Sequence, residues 1–259
     1  MGEYMFKVGD KVIVIDDDNK NIYKIKSINE LICLVGYSYR MVRYVKEEEI
    51  RLATDEELEK EELKNQKRKK LIKEKSNSRK TKAIFGRILH IDGDKEYLNS
   101  CMALYKELGI YAEGIHLSEK EGYLKIKDIL LQITPDIIVI TGHDAYNGSN
   151  IASLDSYENS KYFVKTIREI RKHFSLDDVI VIAGACGSHF EALIASGANF
   201  ASSPKRLNTH TYDPAVAAIK VATTSINQNI DFDGLLKYIE NGRSALGGVE
   251  TKGKMRLLL

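Results

Sequence analysis

From residue 84 onward, short apolar runs alternate with segments in which apolar residues recur every three or four positions. The apolar runs predict strands at 87–91, 111–115, 136–140, 178–183 and 199–202, and the helical spacing predicts helices at 95–108, 123–132, 157–173, 186–196 and 214–226. Strands that alternate with helices of this length predict an α/β domain at 83–259, with a doubly wound parallel sheet covered on both faces.

The first 53 residues have a different pattern. Short β-like runs at 11–15, 22–28, 31–35 and 40–45 are separated by residues typical of turns. Several short strands in so few residues predict a small β-barrel module of the SH3 or Tudor kind at 1–53. We interpret it as a docking module rather than a catalytic one.

Residues 54–82 are highly charged and contain too few apolar residues to pack. Thr54 followed by three acidic residues is a typical helix start. We expect a solvated helix that frays into a flexible linker. Its basic run at 67–70 is interpreted as a charged face rather than a nucleic-acid site.

Composition narrows the class of protein. The 259 residues are 43% hydrophobic and 29% charged with a net charge of +2, which is typical of a soluble globular protein and predicts neither a nucleic-acid nor a membrane partner. No apolar run approaches the roughly 18 residues of a membrane span. Three widely spaced cysteines favour a reducing, cytoplasmic compartment, and predict no disulfide framework and no metal site.

Two of the most apolar predicted strands end in reactive side chains. One leads through Gly142 to His143, and the next leads through a small-residue segment to Cys186. Functional groups of open α/β sheets gather beyond the carboxyl ends of the strands. If these strands are neighbours, both side chains project into one crevice, as a nucleophile and its base would.

The predicted helix that begins at Cys186 defines the expected chemistry of the thiol. A helix start should lower the pKa of the thiol, and its free N–H groups would hold an oxyanion. Small neighbours such as Gly187 leave room for a substrate. His189, one turn further on, is a competing base or a supporting residue, ranked below His143.

The alternative interpretation is structural. A single cysteine is more often a small buried hydrophobe than a nucleophile, and a histidine after a strand is usually hydrogen-bonded in a structural role. The equivalent placement of Cys186 and His143 favours catalysis. Cys33 and Cys101 lack this setting, and Cys101 is expected to face a core.

The pattern of a strand ending in His and a strand ending in Ala-Cys resembles the caspase, legumain and clostripain group of cysteine peptidases. The blocks Thr141-Gly-His-Asp-Ala-Tyr146 and Ala183-Gly-Ala-Cys-Gly-Ser-His-Phe-Glu191 resemble the YabG family of sporulation-specific proteases more closely. The likeness continues through Gly197-Ala-Asn-Phe-Ala-Ser-Ser-Pro204 and Leu246-Gly-Gly-Val-Glu-Thr-Lys-Gly253 and covers nearly all of 84–259.

The resemblance implies a caspase-like endopeptidase with a Cys/His dyad and no cofactor. It would be made in the mother-cell cytoplasm, associate with the spore coat, and process coat and cortex-related proteins after arginine. In the wider group a glycine follows the histidine, whereas here Asp144 follows it and Gly142 precedes it. The N–H of Cys186 is therefore the safer oxyanion donor.

Cleavage after arginine requires a carboxylate in the S1 pocket, which binds the substrate residue before the cut. The candidates are Asp213 as first choice, then Glu191, Asp155 and Asp144. The alternative for Asp213 is that it only caps the helix at 214. Such a peptidase would also find Arg68 and Arg79 in its own linker, so self-cleavage there is a hypothesis.

Two rival functions stay open at this point. The residues Asp92 and Asp94 after the first strand resemble the acidic residues of flavodoxin-like receivers, which bind Mg²⁺. This alternative would make the domain a non-enzymatic receiver or small-molecule binder. We expect the two residues instead to cap the next helix. The second rival is a cysteine-dependent amidase that acts on small molecules.

Overall fold

The computed structural model describes residues 5–18, 20–76 and 83–258. The N-terminal part is a five-stranded antiparallel sheet in the order β4-β3-β2-β1-β5. Its strands are β1 (Lys11–Val14), β2 (Ile22–Ile28), β3 (Ile32–Gly36), β4 (Val42–Val45) and β5 (Ile50–Leu52). The four predicted strands are present, but the run 40–45 forms a strand only from Val42, so Arg40 and Met41 lie in the preceding loop. The SH3 or Tudor-like class and the domain boundaries stay predictions.

The charged segment forms a helix, α1 (Asp55–Ser76), as predicted. Thr54 and Glu57 cap its start reciprocally, because the backbone N–H of each residue donates to the side chain of the other. The helix is not simply solvated along its length. Ile72 is buried in the main core, and Arg68 pairs with Asp213. Packing against the α/β part therefore holds α1 in place.

The second sheet has six strands in the order β12-β11-β10-β9-β7-β8. They are β7 (Ile88–Asp92), β8 (Ala112–His116), β9 (Ile137–Thr141), β10 (Ile180–Ala183), β11 (Phe200–Ser202) and β12 (Leu246–Gly248). All pairs are parallel except β11 with β12. Two short strands, β6 (Ala83–Ile84) and β13 (Arg256–Leu257), pair separately. The predicted α/β class is confirmed, with a mixed and mostly parallel sheet.

Helices cover both faces of this sheet. Alternate strand residues are therefore buried in two separate apolar clusters, one on each face. One face packs against α2 (Lys95–Glu107), α6 (Asp213–Thr223) and α7 (Phe232–Leu236), and the other against α3 (Glu119–Gln132), α4 (Ser160–Arg171) and α5 (Phe190–Ala195). None of the helices in the described ranges is both long and apolar enough to cross a membrane.

The largest difference from the sequence expectation concerns α5. It begins at Phe190 with His189 as its N-cap, whereas the pattern predicted a helix from Cys186. Gly184 and Gly187 adopt φ angles of +107° and +70°, which an α-helix does not allow. Cys186 therefore lies in a turn between the strand and the helix.

Candidate active site

The two candidate catalytic side chains follow neighbouring parallel strands. In the pairing of β9 with β10, Ile140 lies opposite Ala183. His143 and Cys186 each come three residues later, so both extend from the same carboxyl edge of the sheet. The expectation that these strands are neighbours is confirmed.

The His143 imidazole has one partnered nitrogen and one free nitrogen. Its Nε2 lies 3.0 Å from Oδ2 of Asp94, and its buried Nδ1 has no hydrogen-bond partner among the described residues. When Nε2 carries the proton towards the carboxylate, Nδ1 presents a lone pair. An imidazole in this state can accept a proton.

Asp94 is held in place by the helix that follows it. Its Oδ1 accepts hydrogen bonds from the backbone N–H groups of Glu96 and Tyr97, which makes it the N-cap of α2 as expected. Burial tends to raise the pKa of Asp94, but the hydrogen bond with His143 keeps it below its usual value. From the sequence we expect only a capping role for Asp94. Its position just beyond β7, at the same edge, was the available signal for a second role.

The Cys186 thiol is closed off from solvent, with 4% of the residue exposed. Its Sγ accepts a hydrogen bond from the Thr209 N–H at 2.9 Å and lies 3.3 Å from the Thr209 carbonyl oxygen. Burial raises the pKa of this thiol to about 12. The expectation of a helix start that lowers this pKa is therefore wrong for this conformation, in which the thiol is protonated.

The covering chain comes from the N-terminal part of the molecule. Cys186 belongs to the apolar cluster of the N-terminal sheet, and its backbone N–H donates to the Arg40 carbonyl oxygen at 3.0 Å. Met41 forms a parallel bridge with Asp144. The β3–β4 loop thus lies directly across the two strand ends.

Three of the predicted supporting residues shape the loops around this edge. Gly142 lies so close to the Glu119 carboxylate that a Cβ there would clash. Asp144 accepts hydrogen bonds from the Ser160 and Ser188 hydroxyls, and burial raises its pKa to about 6. The N–H of Gly187 donates to the Ser203 hydroxyl at 2.9 Å.

Both ring nitrogens of His189, the competing base, are occupied. Its Nδ1 accepts from the Ala192 N–H at 3.3 Å, and its Nε2 lies 3.1 Å from the Ala152 carbonyl oxygen. This arrangement gives His189 a structural role at the start of α5. It leaves no nitrogen directed at the thiol.

The predicted S1 carboxylates lie in different surroundings. Asp213 is fully buried, pairs with Arg68 and accepts a hydrogen bond from the His210 N–H, and burial raises its pKa to about 6. Glu191 is mostly exposed and pairs with Arg206 at 2.6 Å. Asp155 is exposed in a short 3₁₀ turn.

The two arginines proposed as self-cleavage points in the linker, Arg68 and Arg79, have different outcomes. Arg68 was expected in a flexible, exposed segment, but it lies inside α1, pairs with Asp213 and Glu240, and has only 13% of its side chain exposed. A helical, paired arginine is a poor substrate for an endopeptidase. Arg79 lies outside the described residues.

Asp92, the first acidic residue after the leading strand, does not cap α2. Its carboxylate lies 2.7 Å from the guanidinium of Arg40 and accepts a hydrogen bond from the Thr141 hydroxyl. Asp94 is likewise engaged, by His143 and by the start of α2. These contacts leave the acidic pair little capacity for the metal ion that a receiver would bind.

A mostly parallel sheet with a carboxylate-held histidine and a cysteine at one edge defines an α/β protein with a candidate Cys–His active site. The family model described as YabG peptidase U57 matches residues 5–259. The chain belongs to this family, which confirms the resemblance read from its motifs.

One similar characterised protein is the sporulation-specific protease YabG of Bacillus subtilis (strain 168). It is 43% identical over 175 residues, which cover 66% of this chain and 60% of the relative. The matched region thus spans less than two thirds of that protein. No solved structure shows significant similarity to the chain.

Proposed function

We propose that the protein is a cysteine endopeptidase in which Cys186 is the nucleophile and His143 the base. The observation that carries the proposal is the equivalent placement of the two side chains beyond β9 and β10, with Asp94 on Nε2 of the imidazole and Nδ1 left without a partner among the described residues. Family membership supports the reaction class.

In the proposed mechanism, His143 Nδ1 accepts the thiol proton and Cys186 Sγ attacks the peptide carbonyl carbon. The Cys186 N–H, which already donates to a carbonyl oxygen, stabilises the oxyanion. His143 then returns the proton to the leaving amine. Water hydrolyses the thioester and restores the thiol.

We further propose cleavage after arginine in proteins of the spore coat and cortex, within the mother-cell cytoplasm or at the coat. The relative's name describes a protease specific to sporulation, which supports this setting. Self-cleavage in the linker at Arg79 remains part of this proposal. Cleavage at Arg68 would first require α1 to detach.

The test compares digestion of an arginine-containing protein by the wild type, Cys186→Ala and His143→Ala. We expect each substitution to lower the cleavage rate about a thousandfold or more, because each removes one partner of the proton transfer. Cys33→Ala and His173→Ala change the same residue types away from the site and should retain activity. Full activity in Cys186→Ala would contradict the proposal.

The same enzyme preparation distinguishes a peptidase from the alternative function, an amidase that acts on small molecules. A peptidase should release peptides from the protein substrate and react with a peptidyl-arginine electrophile. Hydrolysis of small amides with no cleavage of any protein would favour the amidase instead.

A further inference from the structure

The β3–β4 loop crosses the candidate active site in an extended, strand-like conformation. Ser38 and Arg40 pair with the chain that follows β11: the Arg40 N–H donates to the Thr209 carbonyl oxygen, and the Thr211 N–H donates to the Ser38 carbonyl oxygen, both at 3.0 Å. Tyr39 and His210 form the antiparallel bridge between them. This is how a peptide binds when it adds a strand to an exposed edge.

The Arg40 carbonyl lies where a scissile carbonyl would have to lie. Its oxygen accepts the hydrogen bond from the Cys186 N–H at 3.0 Å, and the Thr209 carbonyl that binds the Arg40 N–H also lies 3.3 Å from the Cys186 sulfur. On the other side of this carbonyl, Met41 bridges to Asp144, the neighbour of His143. The leaving amine would therefore lie on the histidine side.

The Arg40 side chain fills a closed pocket in the α/β part, and none of it is exposed. One guanidinium nitrogen lies 2.7 Å from Asp92 Oδ2, and another donates to the Thr211 carbonyl oxygen at 3.2 Å. The Tyr97 ring lies beneath the guanidinium, 5.2 Å from it. The guanidinium contacts with Asp92, Thr211 and Tyr97 all come from the α/β part, whereas the arginine comes from the N-terminal module.

The Asp92 carboxylate is built to receive a cation. The Thr141 hydroxyl and the Asp94 N–H bind its two oxygens at 2.9 Å, which fixes its orientation. Burial alone would raise the pKa of Asp92, but Arg40 and His90 hold it well below its usual value. A buried carboxylate that loses its partner is strongly destabilised, so this pocket discriminates for a guanidinium.

We propose that residues 38–41 occupy the substrate cleft as a tethered substrate, with Arg40 in an S1 pocket formed on Asp92, and that the enzyme cuts its own Arg40–Met41 bond. This inference rests on the proposed Cys186–His143 activity. It differs from cleavage in the linker, because the cut falls between β3 and β4.

The chemistry needs only water as co-reactant. The Cys186 sulfur, having given its proton to His143, bonds to the Arg40 carbonyl carbon. The carbon–nitrogen bond to Met41 breaks, and the Met41 amine takes the proton from His143. Water then hydrolyses the thioester, which leaves an Arg40 carboxylate, a new amino terminus at Met41 and the thiol restored.

The helix α1 holds the tethered segment in the cleft. Asn65 donates to the Ser38 hydroxyl and also binds the His210 ring, both at 2.8 Å, so it joins the two paired chains. Lys64 lies 2.5 Å from the Tyr39 hydroxyl. Until this helix and the segment move, an external protein cannot reach the thiol.

The test maps the chain by denaturing mass spectrometry and amino-terminal sequencing after purification and prolonged incubation. The wild type should yield a fragment that begins at Met41, and Cys186→Ala should remain uncut. Arg40→Gln should not be cut at this bond, whereas Arg43→Gln, which changes a partly exposed arginine in the same module, should be cut like the wild type.

Digestion of an added arginine-containing protein tests the peptidase proposal separately from the tethered-substrate inference. A wild type that digests it but stays continuous across Arg40–Met41 would overturn the tethered-substrate inference and leave the peptidase proposal standing. If the wild type cleaves neither the added protein nor its own Arg40–Met41 bond, both the peptidase proposal and the tethered-substrate inference are overturned.

The S1 assignment is tested by Asp92→Asn against Asp213→Asn, with folding of both verified by circular dichroism. Asp92→Asn should lower the cleavage of arginyl peptides about 100-fold or more relative to Asp213→Asn, because only the former removes the partner of the substrate guanidinium. Equal loss in both variants, or loss in Asp213→Asn alone, would overturn the assignment.

Discussion

At the scale of single residues, Asp94 binds the start of a helix through one carboxylate oxygen and a histidine through the other. Its Oδ1 accepts the first N–H groups of α2, and its Oδ2 binds His143. The helix thereby fixes the carboxylate, and the carboxylate fixes the tautomer in which Nδ1 can accept a proton. A short side chain at a helix start thus becomes a positioning residue for the candidate base.

Asp94→Asn separates these two roles. Asparagine caps a helix as well as aspartate does, so the free energy of unfolding should change by less than about 1 kcal/mol. Its amide N–H would face His143 and force the proton onto Nδ1, so peptide cleavage should fall by about 10²- to 10⁴-fold. Kinetics and thermal unfolding measure the two effects.

The matched control is Asp231→Asn at the start of α7, where the side chain caps the Gly234 N–H. It should preserve both stability and activity. Unchanged cleavage by Asp94→Asn would show that His143 needs no carboxylate.

Asp144→Asn tests the effect of burial on a carboxyl group. Burial raises the pKa of Asp144 from 3.8 to about 6. Between these values the folded state keeps a proton that the unfolded state has lost, so the stability contributed by Asp144 is complete below about pH 4 and is lost as the pH rises through 6. Asparagine has no such proton.

Relative to the parent chain, the Asp144→Asn chain should therefore gain about 1–3 kcal/mol in free energy of unfolding between pH 4 and pH 7. Both chains carry Cys186→Ala, so that neither is cut during the measurement. Urea unfolding across this range provides the values. A difference that does not vary with pH would contradict the raised pKa.

At the scale of elements, local pattern predicted β9 and β10 and the reactive residues beyond them, because apolar periodicity and strand ends are local properties. The start of α5 was misplaced because Cys186 and its small neighbours fit the helical spacing, while the φ angles of Gly184 and Gly187 depend on the loops packed around them. The contact of Arg40 with Asp92 could not be predicted, since no local pattern relates residues 52 positions apart.

The helix α1 provides an element-scale prediction. Asn65→Ala removes hydrogen bonds to Ser38 and His210 worth about 1–3 kcal/mol together, so the segment should open more often and iodoacetamide should label Cys186 about 5- to 100-fold faster. The His143→Ala background keeps the chain uncut. Mass spectrometry of the Cys186 peptide measures the rate.

Lys67→Ala, at an exposed position of the same helix, is the control and should leave the labelling rate unchanged. Equal rates in Asn65→Ala and its parent would mean that α1 does not restrain the segment. Cys101, buried in the core, serves as an internal reference.

At the scale of the whole molecule, the N-terminal sheet carries the segment that closes the site. A cut at Arg40–Met41 would break the covalent connection between β3 and β4. The hydrogen-bonded pairing of β3 with β4, and of β1 with β5, would still join the two fragments. Buried residues of both fragments share one apolar cluster. The cut would thus break the chain within the cleft without dismantling the fold, and the segment that ends at Arg40 could then leave the cleft when α1 moves.

The two fragments should therefore elute together in size-exclusion chromatography under native conditions and separate only in denaturant. The Cys186→Ala chain, which stays uncut, marks the elution volume of the intact molecule. Separate elution in native buffer would show that the sheet does not hold the fragments together.

The most direct test of the central claim is reaction of the purified, processed enzyme with a peptidyl-arginine electrophile, followed by peptide mapping. We expect one adduct, on the Cys186 sulfur, and loss of peptidase activity in proportion to labelling. An inactivating adduct on Cys33, Cys101 or a hydroxyl residue, or an active enzyme that the reagent never labels, would contradict Cys186 as the nucleophile.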